Sequence, residues 1–144
     1  MKKYLIAAAI VLSVSAAAYG HNAMNRFWGE APVDMLLSGD VLIVKTLTVP
    51  EGVKLTIDPG TVVRFEGSDG GTNRIVVRGE LSAAGTKEKP ITFMPKAKGS
   101  GPWYGIEFQG AGRGSLSHCV IQGASAGIKD PLKKAMLQDI QYAR

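Results

Sequence analysis

From residue 41 to 128 the chain shows no helical periodicity and is punctuated by turn formers, so it reads as a series of short strands. The breaks are Pro50-Glu51-Gly52, Asp58-Pro59-Gly60, Asp69-Gly70-Gly71, Gly99-Ser100-Gly101-Pro102 and Gly110 to Gly114. Between them lie short runs: Val41 to Val44, Leu47 to Val49, Val53 to Ile57, Thr61 to Phe65, Ile75 to Val77, Ile91 to Phe93, Gly105 to Phe108 and Leu116 to Ile121. Val, Ile, Thr and Phe dominate these runs, and such residues suit a pleated, half-buried surface. Apolar and polar residues alternate in Leu55-Thr56-Ile57, Val63-Arg64-Phe65-Glu66 and Ile106-Glu107-Phe108. That period of two puts one face in a core and the other in water. Thr56, Arg64, Glu66 and Glu107 are expected outside.

Two all-β architectures compete. An antiparallel sandwich or barrel favours tight hairpins, yet no Asn-Gly turn separates paired runs. A solenoid requires a repeat of about 20 residues. Leu116, Cys119 and Ile121 recur as Leu137, Ile140 and Tyr142; Gly105-Ile106 recurs as Gly127-Ile128; Leu55 and Ile57 recur as Ile75 and Val77. All three sets point to one coil per repeat. The tail, 129–144, carries two signals. Asp130-Pro131 resembles a helix start, with Leu132, Ala135, Met136 and Ile140 at helical spacing. The repeat instead makes Met136 to Tyr142 a further β coil, and this is the reading favoured here.

The N-terminus has the three parts of an export signal: Lys2 and Lys3, the apolar stretch from Tyr4 to Val14, and the small residues Ser15 to Ala18. Cleavage is expected after Ala18 or Gly20. The apolar stretch is shorter than the roughly 20 residues that span a bilayer, so no stable membrane insertion follows cleavage. No cysteine follows it, so a lipid anchor is not indicated. The expected organisation is a signal-peptide helix at 1–20, a lead-in or cap at 21–40 containing Phe27 and Trp28, and coils at 41–144, in a periplasmic or secreted protein.

The formal charge of +5 includes Lys2 and Lys3, and the remaining charges are scattered. No basic cluster tracks phosphates, so nucleic acid is not an expected partner. The single cysteine, Cys119, rules out an internal disulfide and reads as a small buried residue. His118 precedes it directly, so on a strand the two side chains point to opposite faces.

A family resemblance runs through Ser38-Gly39-Asp40-Val41 and Leu47 to Phe65. It continues in Arg78-Gly79-Glu80-Leu81, Ala84 to Phe93, Trp103-Tyr104-Gly105-Ile106-Glu107-Phe108 and the Leu116 to Ile121 coil. Over about residues 38–128 the chain resembles bacterial exported right-handed parallel β-helix proteins of the pectate-lyase-like solenoid superfamily. The resemblance implies an all-β fold of a few coils, with Gly52 and Gly60 at corners and a narrow ladder of Val, Ile, Leu and Phe inside. It implies no particular activity, because such folds host many.

The residues that carry chemistry are sparse. His21 and His118 are far apart, there is no His-x-x-x-His motif, and Asp69 supplies one carboxylate, so neither metal nor cofactor is expected. The Gly110 to Gly114 turn lacks the Lys-Ser/Thr of a phosphate-cradling loop. Related β-helix enzymes that act on acidic polysaccharides cluster Asp with Arg or Lys on one outer face. Here Arg64, Glu66, Arg78, Glu80 and Glu107 point outward without a spacing that joins them. No catalytic residue is assigned. Trp103 and Tyr104, beside a Gly-rich turn, suit stacking on sugar rings, although Trp103 also suits covering the edge of the core. The ligand-binding candidates are therefore Trp103, Tyr104, Glu107, Arg64 and Glu66. The expected function is an exported, non-catalytic structural or binding protein whose partner is polysaccharide or an envelope protein. The alternatives are a fragment of a polysaccharide lyase or glycoside hydrolase, and an adhesin-like envelope component that self-associates end to end through an open last coil.

Overall fold

The computed structural model describes residues 25–67 and 71–144. The expected signal peptide, His21 and Asp69 lie outside them. Twelve strands and no helix occur among the described residues: β1 Asn25–Glu30, β2 Met35–Leu37, β3 Asp40–Val49, β4 Lys54–Ile57, β5 Val62–Phe65, β6 Arg74–Val77, β7 Glu80–Ala84, β8 Ile91–Pro95, β9 Trp103–Phe108, β10 Arg113–Gln122, β11 Ala124–Lys129 and β12 Ala135–Ala143. No helix among them is long and apolar enough to cross a membrane.

Every strand pairing is parallel, and each strand pairs with strands one winding of chain away. Three stacks result. The first holds β2, β4, β7 and the leading halves of β10 and β12. The second holds the leading halves of β1 and β3, then β5, β8 and the trailing halves of β10 and β12. The third holds the trailing halves of β1 and β3, then β6, β9 and β11. Strands β3 and β10 turn a corner midway and link the stacks into one twelve-stranded sheet. The architecture is all-β and compatible with a parallel β-helix.

A single winding cannot bury its own apolar face, so the core is built from columns that run across windings. Val41, Val63, Phe93 and Ile121 form one such column, each at most 2% exposed. Leu47, Ile75 and Ile106 form another. Burying each side chain contributes about 1.5–3 kcal/mol. Among the described residues Thr61 is the buried polar side chain. Its single O–H donates to the Asp58 carbonyl at 2.7 Å, with the Leu37 carbonyl at 3.4 Å, so the donor is not stranded.

The structure sorts the sequence repeats. Leu116 pairs with Leu137, Cys119 with Ile140 and Ile121 with Tyr142, and Gly105-Ile106 pairs with Gly127-Ile128. The third repeat fails: Leu55 pairs with Leu81, whereas Ile75 pairs with Leu47 and Ile106. Leu55 and Ile75 belong to different stacks, because loops at the corners make the windings unequal in length. The tail is the strand β12 and not a helix. Asp130 does accept backbone N–H groups, from Lys134 and Ala135, but Lys133 at φ 51 closes a turn where a helix would begin. The lead-in already contains strands: β2 pairs in register with β4, and β1 pairs with β3 on either side of a register shift at Trp28.

Corners follow backbone chemistry. Gly52 and Gly60 adopt φ 77 and φ 79, a region costly for residues with a Cβ. At the first-to-second corner His118 and Asp139 adopt φ 49 and φ 54 in successive windings. Asp and His are among the non-glycine residues best suited to this region. The second-to-third corner carries the connection 96–102 between β8 and β9.

Candidate functional site

Trp103 is fully buried: of its two expected roles the structure shows the cover for the core, and no face of the ring is left as a sugar-stacking platform. Its ring stacks on Phe65 at 3.9 Å between centroids and 9° between planes, and Phe93 lies at 6.3 Å. Its indole N–H donates to the Gln122 carbonyl at 2.7 Å. Both its apolar surface and its polar handle are consumed by the core. Gly105, at φ 146, explains why Trp103 and not Tyr104 turns inward. Ile106 and Phe108 point inward, so strict alternation would send Tyr104 with them; the kink at Gly105 inverts the order.

Tyr104 and Glu107 do meet, on the outer face of the third stack. Arg74 in β6 lies with its guanidinium carbon 3.8 Å from the centre of the Tyr104 ring. The same guanidinium bonds Glu107 at 2.8 Å. Lys129 in β11 reaches the other Glu107 oxygen at 3.8 Å and stands 5.9 Å from the Tyr104 ring. Three successive windings are thereby tied together. Only 12% of the Glu107 side chain is exposed. Burial pushes its pKa up, but hydrogen bonds from Arg74 and Gln109 and the charges of Arg74 and Lys129 outweigh that, leaving it below the usual carboxylate value. A carboxylate held ionised by two cations is a poor general acid.

Arg64 and Glu66 sit elsewhere. Arg64, on the second stack, bonds Asp40 at 3.0 Å and lies 3.6 Å from the Met94 sulfur. Glu66, at the second-to-third corner, bonds Lys96 at 3.2 Å. Arg78 donates to the Gln109 side chain at 3.2 Å, and Glu80 bridges Lys54 and Arg113 at 3.9 and 3.6 Å. Arg64, Glu66 and Glu80 therefore sit in separate links between windings, whereas Arg78 and Glu107 are joined through Gln109. Among the described residues no three His, Cys, Asp or Glu side chains group to hold a metal ion.

Cys119 is buried, its thiol 3.4 Å from the Ser117 carbonyl and 3.6 Å from that of Ala83, and burial pushes its pKa up to about 12. A protonated, enclosed thiol is no nucleophile. His118 turns away from it toward Asp139 at 3.5 Å.

Sequence reasoning left one feature unused. Trp28, assigned to the lead-in, is 60% exposed. It lines a recess of about 630 Å³ with Val44, Lys45, Thr46, Glu66 and Asn73, drawn from three successive windings at the second-to-third corner. An aromatic residue followed by Gly29 at φ 79 was the available signal. Farther along the same corner a recess of about 640 Å³ is lined by Met94, Pro95, Pro102 and Gln122.

No family model matches the chain, and no solved structure matches it. Protein bark beetle of Drosophila melanogaster is 31% identical over 90 residues, covering 62% of this chain and 3% of that protein. The chain thus spans a small fraction of the length of the curated relative it matches.

Proposed function

We propose that the chain is an exported, non-catalytic parallel β-helix, right-handed and of the pectate-lyase-like kind, that binds polysaccharide at the cell envelope. The pairing of its outward charges supports this reading most. Asp40 with Arg64, Glu66 with Lys96, Glu80 with Lys54 and Arg113, and Glu107 with Arg74 and Lys129 each link neighbouring windings. Charges spent between windings hold a scaffold in register; they do not form the opposed acid and base that glycoside cleavage needs. The corner loops, with their recesses, offer contact surface on a rigid frame.

The chain secreted from an export-competent bacterium supplies the test. N-terminal sequencing should begin at Tyr19 or His21. A glycan array should register binding, and acidic and neutral polysaccharides should yield neither new reducing ends nor unsaturated products. Turnover of any of them would overturn the non-catalytic reading in favour of a lyase or hydrolase.

A second reading, self-association through the last winding, has its own observation. The apolar columns continue into β12, where Leu137 and Tyr142 are 46% and 61% exposed, with Met136 at 76% nearby. Concentration-dependent dimers that Met136→Glu abolishes would support it; a monomer at every concentration would sink it.

A further inference from the structure

The geometry points to the Trp28 recess as a subsite for one gluco-configured pyranose of a neutral glycan; this rests on the polysaccharide-binding reading above and names its site. Three observations converge. First, the backbone places the indole outside. The β1–β3 register jumps between Phe27 and Gly29, so Trp28 stands opposite the bulged segment 44–46 without a register partner. Such irregularities re-aim side chains. The contrast within the molecule is direct: Trp103 is fully buried and Trp28 is 60% exposed.

Second, the surroundings are mixed. Lys45 supplies donors, the Glu66 carboxylate supplies acceptors, and Thr46 and Asn73 supply both. A purely apolar ligand would strip water from these polar groups without replacing its hydrogen bonds. A phosphate or carboxylate ligand would face Glu66. A pyranose meets both demands: its hydroxyls each donate and accept, and its face of C–H bonds, slightly positive, packs on the negative face of an indole. In a gluco-configured ring the hydroxyls are equatorial, which leaves that face clear.

Third, two of its polar groups are already oriented. Glu66 is held by Lys96 at 3.2 Å, and the Asn73 amide donates to the Glu66 carbonyl at 2.6 Å. Trp28, Thr46 and Glu66 stand on successive windings, which the flanking β1–β3 and β3–β5 ladders hold about 4.8 Å apart.

Trp28 fluorescence reports the site directly, because Trp103 is already shielded. The exported protein is titrated with cellohexaose, laminarihexaose and maltohexaose by calorimetry and by acrylamide quenching. At least one should bind, protect the quenchable tryptophan and shift its emission to the blue. Trp28→Ala should weaken that binding about tenfold or more, and Trp28→Tyr should restore part of it. Glu66→Gln should weaken it while thermal unfolding stays within a few degrees of the parent. Equal affinity of Trp28→Ala and the parent would overturn the inference and leave the polysaccharide reading standing. So would binding confined to acidic glycans such as polygalacturonate. Failure to bind any glycan would overturn both.

Discussion

Replacing Trp103 separates a core residue from a ligand platform. Trp103→Ala removes the largest fully buried side chain and leaves a cavity between Phe65 and Phe93. Truncating a buried aromatic to alanine costs about 3–5 kcal/mol. The Gln122 carbonyl, now 2.7 Å from the indole nitrogen, also loses its donor. A fully buried acceptor left without its donor costs about 1–3 kcal/mol; this one is part-buried, so it adds at most the lower end of that range. Trp103→Phe keeps a ring on Phe65 but drops the N–H, and should cost about 1–3 kcal/mol. Trp28→Ala, at an exposed position, should stay within about 0.5 kcal/mol. Against a total stability of about 5–15 kcal/mol, Trp103→Ala removes a large share. Urea unfolding followed by far-ultraviolet circular dichroism measures all three. A Trp103→Ala loss below about 1 kcal/mol, or a Trp28→Ala loss exceeding that of Trp103→Phe, would refute the placement of the two tryptophans.

Three further outcomes follow from the geometry. The lowered pKa of Glu107 stabilises the fold above the unfolded-chain value near 4.5, and that contribution is lost as pH falls through the folded value. Acid titration of stability should be shallower in Glu107→Gln than in the parent; identical curves would remove the Arg74–Glu107–Lys129 link from the account. The Cys119 thiol should resist an aromatic disulfide reagent at pH 8 in the native protein and react at once in urea, and rapid native labelling would contradict its enclosure. Gly52→Ala should cost about 1–2 kcal/mol through its positive φ alone, with Gly52→Asn milder. Gly112→Ala should cost more, because a Cβ there would overlap the Val77 carbonyl; chemical denaturation ranks the three, and the reverse order would refute the corner geometry.

Much of the fold was legible because its signals are local. Alternation in Leu55-Thr56-Ile57 and Val63-Arg64-Phe65 marked strands, and Pro-Gly punctuation marked corners. β11 was less visible because Ala124-Ser125-Ala126-Gly127 lacks β-branched residues. The repeat of Leu116 and Ile121 in Leu137 and Tyr142 was readable because a short turn, 130–134, separates those windings. Between Leu55 and Leu81 the loops of the winding broke the period, and no local rule restores it.

The site was less legible. Sequence left Trp103 open between a sugar platform and a cover for the edge of the core, and assigned Trp28 to the lead-in without a role; the structure buries the first and exposes the second. Each tryptophan has a glycine one or two residues on, so composition could not separate them. The sequence by itself determined that this chain is all-β, cut into short strands, with Glu66 and Glu107 on wet faces. The tertiary structure decided which windings are neighbours, and with that which cation each carboxylate meets. It also decided which indole is covered, because burial at a corner depends on the winding stacked beside it. That neighbour lies a whole turn of chain away, and the length of each turn is set by loops whose residues carry no record of register.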